Sequence, residues 1–199
     1  MTNSLISLNA AIRAAASAVG KKEAEGPLGD LFDLRDPDDR FGSTTWEAAE
    51  SEMQRLAFNT ALAKAGVTDV GIGALFAGDL LNQCVGSAYG LMDFDIPYFG
   101  LYGACSTCAE GLLLASMAVT GGFFERCASV TSSHYCSAER QYRLPIEYGG
   151  QRAPAAQWTV TGGGCAIITS EPSELKITHV TIGKIVDLGI TDISNMGSA

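Results

Sequence analysis

The sequence predicts an α/β domain: a mainly parallel, mixed sheet of five strands with helices packed on it. Three observations carry that expectation. Short apolar runs of strand length alternate with longer Ala-rich segments of helical spacing. The chain between successive runs spans about 15 to 25 residues, the length of a right-handed βαβ crossover. The chain has 199 residues, 47% of them apolar and 18% charged, enough for one sizeable core.

Residues 4–19, SLISLNAAIRAAASAV, allow two readings. Alanine favours a helix, yet the stretch around Ile12 fits a strand entering a glycine turn. Residues 20–45 carry Gly, Pro and Asp at turn positions and read as a long irregular loop. A loop of that length is expected to be functional or an interaction arm. From Trp46 to Ala65, the residues Ala49, Met53, Leu56, Ala57, Thr60, Ala61 and Ala65 recur at helical spacing. Ser43, Thr44 or Thr45 can cap this helix, Glu47 or Glu50 complements its N-terminus, and Gly66 ends it. Residues 70–78 form the first buried strand, and 79–93 a turn and short helix. Residues 97–104 form the second strand, 105–120 a second long helix, and 126–134 the third strand. A polar loop leads to two last strands, 162–170 and 175–188, expected to be neighbours joined at Pro172 and Ser173. In such sheets ligands gather at the carboxyl ends of the strands. That edge holds residues 78–82, 103–106 and 132–134.

The net charge of −9, with Lys and Arg scattered, argues against nucleic acid as a partner, because neutralising phosphates needs clustered cations. No apolar run reaches the roughly 18 residues of a membrane span. Arg13 interrupts the apolar N-terminal stretch and no charged segment precedes it, so a cleaved signal peptide is not expected. The six cysteines then read as reduced thiols rather than a disulfide framework.

Cys105 opens the second long helix. Unpaired N–H groups and the helix dipole lower a thiol pKa at such a place, and Gly103, Ala104 and Ser106 keep the approach open. The plain alternative is a small buried thiol under the sheet. Cys108 completes one Cys-x-x-Cys, but the other cysteines are singletons, so a four-ligand zinc site is not expected. Cys108 reads as helix packing, and a redox pair is the minor alternative. His134 ends the third strand at the ligand edge, whereas His179 reads as a solvent-face position. Asp79 and Asn82 follow the first strand, Asp79 either as a cap for the next helix or as a ligand contact. The triplet Gly162 to Gly164 lacks a nucleotide-binding arrangement and lets backbone approach closely.

Several blocks together carry a family resemblance. EGPLGDLFD (25–33), AGDLLNQ (77–83), GACST (103–107), TSSH (131–134), AERQYRLPIEYGGQRAP (138–154), GKIVDLGITD (183–192) and the closing MGSA resemble the stage V sporulation protein AD family of the thiolase-like superfamily. The resemblance implies a thiolase-like fold of two similar halves. Residues 1–199 would then be the N-terminal half, with 20–45 an extended arm and the C-terminal half absent. The histidines, asparagine or second cysteine that general thiolases use would be absent with it. A half-fold leaves an apolar face uncovered, so a homodimer is expected.

The resemblance also implies a ligand, dipicolinic acid, and a role in its uptake into the developing forespore and its release at germination. It implies partners among proteins of the same sporulation operon, placement at the forespore or spore inner membrane surface, and no condensing activity. No cofactor is expected, with calcium a candidate co-ligand. On this reading Cys105 and Ser106 cradle one carboxylate at the helix N-terminus. Thr107, Ser132 and Ser133 add hydroxyl donors, protonated His134 adds charge, and Arg140 and Arg143 line the entrance. Asp79 and Asn82 complete the set, Asp79 by orienting donors, carrying a proton or sharing calcium. The rival is an acyl transferase or condensing enzyme with Cys105 as nucleophile and His134 as base. A third reading is a scaffold docking on membrane partners through 20–45.

Overall fold

Residues 5–19 form a strand. The computed structural model describes residues 5–142, 159–189 and 191, with backbone only for 139–142. Within it β1 (Leu5–Val19) is the longest strand and the spine of the sheet. The helical propensity of its alanines is overridden by pairing on both edges. Ala11 and Ile12 sit opposite Thr169 and Ile168 on one side and opposite Lys176 and Leu175 on the other.

After β1 come α1 (Lys21–Ala24), β2 (Leu34–Arg35), α2 (Trp46–Ala65), β3 (Ala74–Gly78) and α3 (Val85–Leu91). Then follow β4 (Tyr98–Gly100), α4 (Thr107–Thr120), β5 (Arg126–Ser133), α5 (Tyr135–Tyr142), β6 (Gly162–Thr169) and β7 (Leu175–Thr181). The sheet runs β2-β1-β6-β5-β3-β4, with β7 paired to β1. It has seven strands, not the five expected, and it is not mainly parallel. The pairs β1–β2, β3–β4 and β3–β5 are parallel, while β1–β6, β5–β6 and β1–β7 are antiparallel. The difference arises because β6 threads between β1 and β5 antiparallel to both. β6 and β7 are not neighbours either. Each takes a different edge of β1, which is long enough to serve both.

Each strand deals alternate side chains to two faces, as the strand period requires. Leu75, Ala77, Ala128 and Val130 pack with Met53, Ala57 and Phe58 of α2. Ala74, Phe76 and Cys127 pack on the other face with Ala115 and Val119 of α4. Helix α2 has the expected bounds. Thr45 accepts a hydrogen bond from the Ala48 N–H, and Gly66 closes the helix at φ 69°, a left-handed position that glycine takes without strain. Glu47 lies in the first turn, but Glu50 is fully buried and faces the sheet, so it does not serve the N-terminus.

Residues 20–45 are a strap rather than a free arm. Asp33 accepts from the Ser17 N–H at 2.9 Å and from Lys64 Nζ at 2.8 Å, and the Asp36 N–H donates to the Val19 carbonyl at 2.9 Å. The strap is thereby held along the carboxyl end of β1. Among the described residues no helix is long and apolar enough to cross a membrane.

Helix α4 approaches the sheet most closely at Gly111, where an added Cβ would lie 2.4 Å from Ser129 Oγ and 3.4 Å from the Phe76 carbonyl. Gly111→Ala is therefore expected to cost about 1–3 kcal/mol by overpacking. Denaturant midpoints of the two proteins measure this, and an unchanged midpoint would contradict the close approach.

Candidate functional site

The carboxyl ends of β1, β3 and β5, the start of β6 and the turn before α4 surround a cleft of about 650 Å³. That is within the range of small-molecule sites. Ser17 and Val19 come from β1, Asp79 and Leu80 from the end of β3, and Thr131, Ser132 and Ser133 from β5. Ala104, Cys105, Thr107 and Cys108 supply the wall at α4, and Gly162 to Gly164 a wall without side chains. The strap closes one side with Glu23 and Phe32.

Cys105 is exposed in a 3-10 turn, Ala104–Ser106, that leads into α4. The turn begins at Ala104 with φ 48°, which aims the chain sharply into the helix at some steric cost. Cys105 is thus not a thiol packed under the sheet. Cys108 is exposed as well and lines the same cleft, which corrects the expectation that it packs inside the helix layer. It lies on the same face of α4 as Gly111, Ala115 and Val119 but in the first turn, where that face meets the cleft at the strand ends.

Asp79 is buried, and both carboxylate oxygens are engaged. Oδ1 accepts from the Leu81 N–H at 2.7 Å; Oδ2 accepts from the Ser87 N–H at 2.7 Å and from Ser87 Oγ at 2.6 Å. It therefore caps the first turn of α3 from outside, because Cys84 at the cap position offers no side-chain bond. Behind it lies a buried polar chain. Gln54 Nε2 donates to Ser87 Oγ at 2.9 Å and to Ser132 Oγ at 2.7 Å. Ser132 Oγ donates to Glu50 Oε1 at 2.8 Å, and Ser137 Oγ lies 2.8 Å from Glu50 Oε2 and 3.1 Å from the His134 carbonyl. A proton on Glu50 Oε2 satisfies every contact around it. The carboxyl then donates to Ser137, and Ser137 donates to His134. Burial, reinforced by the Asp79 carboxylate and opposed by the serine hydroxyls, raises the Glu50 pKa to about 7.

The expected set divides. Asp79, Cys105, Thr107, Ser132 and Ser133 meet at the cleft. Ser132 and Ser133 spend their hydroxyl protons inward, on Glu50 and on the Val160 carbonyl at 2.6 Å, so neither offers a donor to a ligand. Thr107 Oγ1 accepts from the Gly103 N–H at 3.1 Å. Asn82 and Ser106 are exposed but do not line the cleft, and Ser106 Oγ donates to the Gly103 carbonyl at 2.7 Å. Arg143 lies outside the described residues, as does the side chain of Arg140.

His134 is the larger correction. It is fully buried and is not part of the cleft lining. Its Nε2–H donates to the Asp39 carbonyl at 2.8 Å, its Nδ1 accepts from the Cys136 N–H at 3.2 Å, and Trp46 packs 5.4 Å away. Both nitrogens are committed as in a neutral ring, and burial lowers its pKa. His134 ties the strap to α5; it neither adds charge to a ligand nor reaches Cys105 as a base. The sequence reading did not place Glu23, Phe32 or Thr131 in the site, and it read Gly162 to Gly164 only as a close backbone approach; the fold brings all of them to the cleft. Among the described residues no group of three or more His, Cys, Asp or Glu is placed to hold a metal ion.

This architecture is a thiolase-like fold, shared with solved structures of low sequence identity. The 3-oxoacyl-(acyl carrier protein) synthase III FabH of Xanthomonas oryzae pv. oryzae superposes with a TM-score of 0.54 at 15% identity, over 82% of this chain and 56% of that one. An OleA variant of Xanthomonas campestris with bound lauric acid and lauroyl-CoA gives a TM-score of 0.54 at 13% identity, over 82% of this chain and 57% of that one. The family model of stage V sporulation protein AD (SpoVAD) matches residues 2–199, and the chain belongs to that family. The stage V sporulation protein AD of Bacillus subtilis is 46% identical over 188 residues, covering 94% of this chain and 56% of that protein. The chain thus spans just over half the length of that curated relative.

Glu50 gives the site a measurable pH signature. With a folded-state pKa raised from 4.5 to about 7, its contribution is full below about pH 4.5 and is lost as pH rises through about 7. The loss is expected to be about 3 kcal/mol. His134, buried neutral, slopes the other way below its ordinary pKa, so the difference between wild type and Glu50→Gln isolates Glu50. Urea unfolding of both proteins from pH 4 to 8 measures that difference, and parallel profiles would contradict a protonated Glu50.

Proposed function

We propose that the cleft binds dipicolinate, together with calcium, and that the chain serves its uptake into the developing forespore and its release at germination. Family membership supports the ligand class. The observation that carries the reading is the cleft itself, which opens on Cys105 and holds no histidine beside it among the described residues. A thiolase-like enzyme needs a proton acceptor within reach of its thiol. His134, the base that the sequence suggested, is committed at both nitrogens to Asp39 and Cys136. Binding therefore fits the geometry better than acyl transfer.

The charge of the lining favours the calcium complex over the free dianion. Its described residues include Glu23 and Asp79 but no Lys, Arg or His. Asp79 is consumed in capping α3, whereas Glu23 Oε2 has no hydrogen-bond partner among the described residues. Calcium takes carboxylate oxygens, so Glu23 is suited to meet the metal of a calcium–dipicolinate complex. The thiols of Cys105 and Cys108 and the hydroxyls of Thr107 and Thr131 face the rest of the cleft. Arg140 and Arg143 keep their proposed place at the entrance. Action beside proteins of the same operon at the inner membrane surface belongs to the same proposal.

Calorimetry tests the reading. Dipicolinate is expected to bind saturably, more tightly with calcium, and Glu23→Gln is expected to abolish the calcium enhancement. Cys105→Ala is expected to weaken binding about tenfold, the loss of one good contact. Incubation with acyl-CoA is expected to leave Cys105 unmodified by mass spectrometry. Acyl loading of Cys105 without dipicolinate binding would replace this reading with the enzymatic one.

A further inference from the structure

The cleft carries two thiols at a spacing that permits a bond between them. Cys105 lies in the 3-10 turn and Cys108 in the first turn of α4; both are exposed, and both line the cleft. The residues between them, Ser106 at φ −86°, ψ −12° and Thr107 at φ −54°, ψ −40°, have right-handed helical backbone. Residues three apart in that geometry have Cα atoms about 5 Å apart. A disulfide takes roughly 4.4–6.8 Å. Positions three apart also share a helix face, and in a 3-10 turn they eclipse.

The remaining thiols are built differently. Cys84 and Cys165 are buried, and burial raises both pKa values; Cys84 also donates to the Leu101 carbonyl at 3.2 Å. Burial pushes Cys127 up to about 12 and raises Cys136 as well. Their thiolates are scarce at neutral pH, and the thiolate is the reactive form. Two thiols with no third ligand among the described residues fall short of the four that a structural zinc takes.

We propose that Cys105 and Cys108 form a reversible intramolecular disulfide in the cleft by exchange with a small-molecule disulfide. The Cys105 thiolate attacks one sulfur of the small disulfide. That S–S bond breaks, and the leaving thiolate departs with the electron pair and takes up a proton. The Cys108 thiolate then attacks the Cys105 sulfur of the mixed disulfide and expels the second small thiolate, which is protonated in turn. Two protein thiols are oxidised, and one small disulfide is reduced to two thiols. The closed bond withdraws both thiols from the cleft and pins the turn to α4. The bond does not depend on which ligand the cleft takes.

The test uses the full chain, oxidised glutathione and intact-mass spectrometry under native conditions, followed by alkylation and peptide mapping. Wild type is expected to pass through a single glutathionyl adduct to a species lighter than the starting protein by two hydrogens. The missing hydrogens are expected to map to the peptide containing both cysteines, and dithiothreitol to restore the original mass. C105S and C108S are each expected to stop at the single adduct. Stable adducts without loss of two hydrogens, no change in mass, or a bond mapping to any other pair would each overturn the proposal. Mass reports this outcome and heat reports dipicolinate binding, so failure of one is distinguishable from failure of the other.

Discussion

The arrangement around the cleft depends on a buried carboxyl that needs its proton. Glu50 and Gln54 project from α2 onto the strand ends, where apolar packing would be the simpler solution. Ser87, Ser132 and Ser137 answer the Glu50 carboxyl and the Gln54 amide nitrogen from α3, β5 and α5 in turn, and Gln54 Oε1 alone of these atoms has no partner among the described residues. An unanswered polar group at that depth costs about 1–3 kcal/mol, so the chain of bonds holds its members in one register. Asp79 extends the chain to the end of β3. The polar network thereby fixes five elements at the edge where the cleft opens, while the apolar layers of α2 and α4 fix the sheet behind it.

This explains why hydroxyls that line the cleft do not all serve it. Ser132 belongs to the network and Ser133 to the chain at Val160, so their contribution is to hold β5 in place. Cys105 and Cys108 are exposed in the lining, while Thr107 is buried beside them and Thr131 is half-buried. The setting of the two thiols is the turn that leads into a helix packed on the sheet through Gly111. The histidine nearest to Cys105 in sequence is a structural bolt between the strap and α5.

Much of this was legible where the signal is local. Helix α2 could be bounded to the residue because Thr45 and Gly66 mark its ends and its apolar residues keep the helical period. Cys105 could be placed because a helix start and an apolar strand flank it directly. Strand β1 could not, since its alanines favour a helix and its partners Ile168 and Ile177 lie more than a hundred residues away. Cys108 was misjudged because it shares the sheet-facing side of α4 with Gly111 but sits in the first turn, where that side meets the cleft instead of the sheet. His134 was misjudged because the strap crosses over it, bringing the Asp39 carbonyl from far along the chain. Glu50 looked like a helix-end charge, and only the serines of three other elements make it a core residue.

The central claim is that a small ligand occupies the cleft at Cys105 without reacting with it. The rate of Cys105 alkylation by iodoacetamide, followed by peptide mass as calcium and dipicolinate are added, tests this most directly. The account requires the rate to fall in proportion to occupancy and to recover when the ligand is removed. Binding that leaves the Cys105 rate unchanged would place the ligand elsewhere and contradict the account.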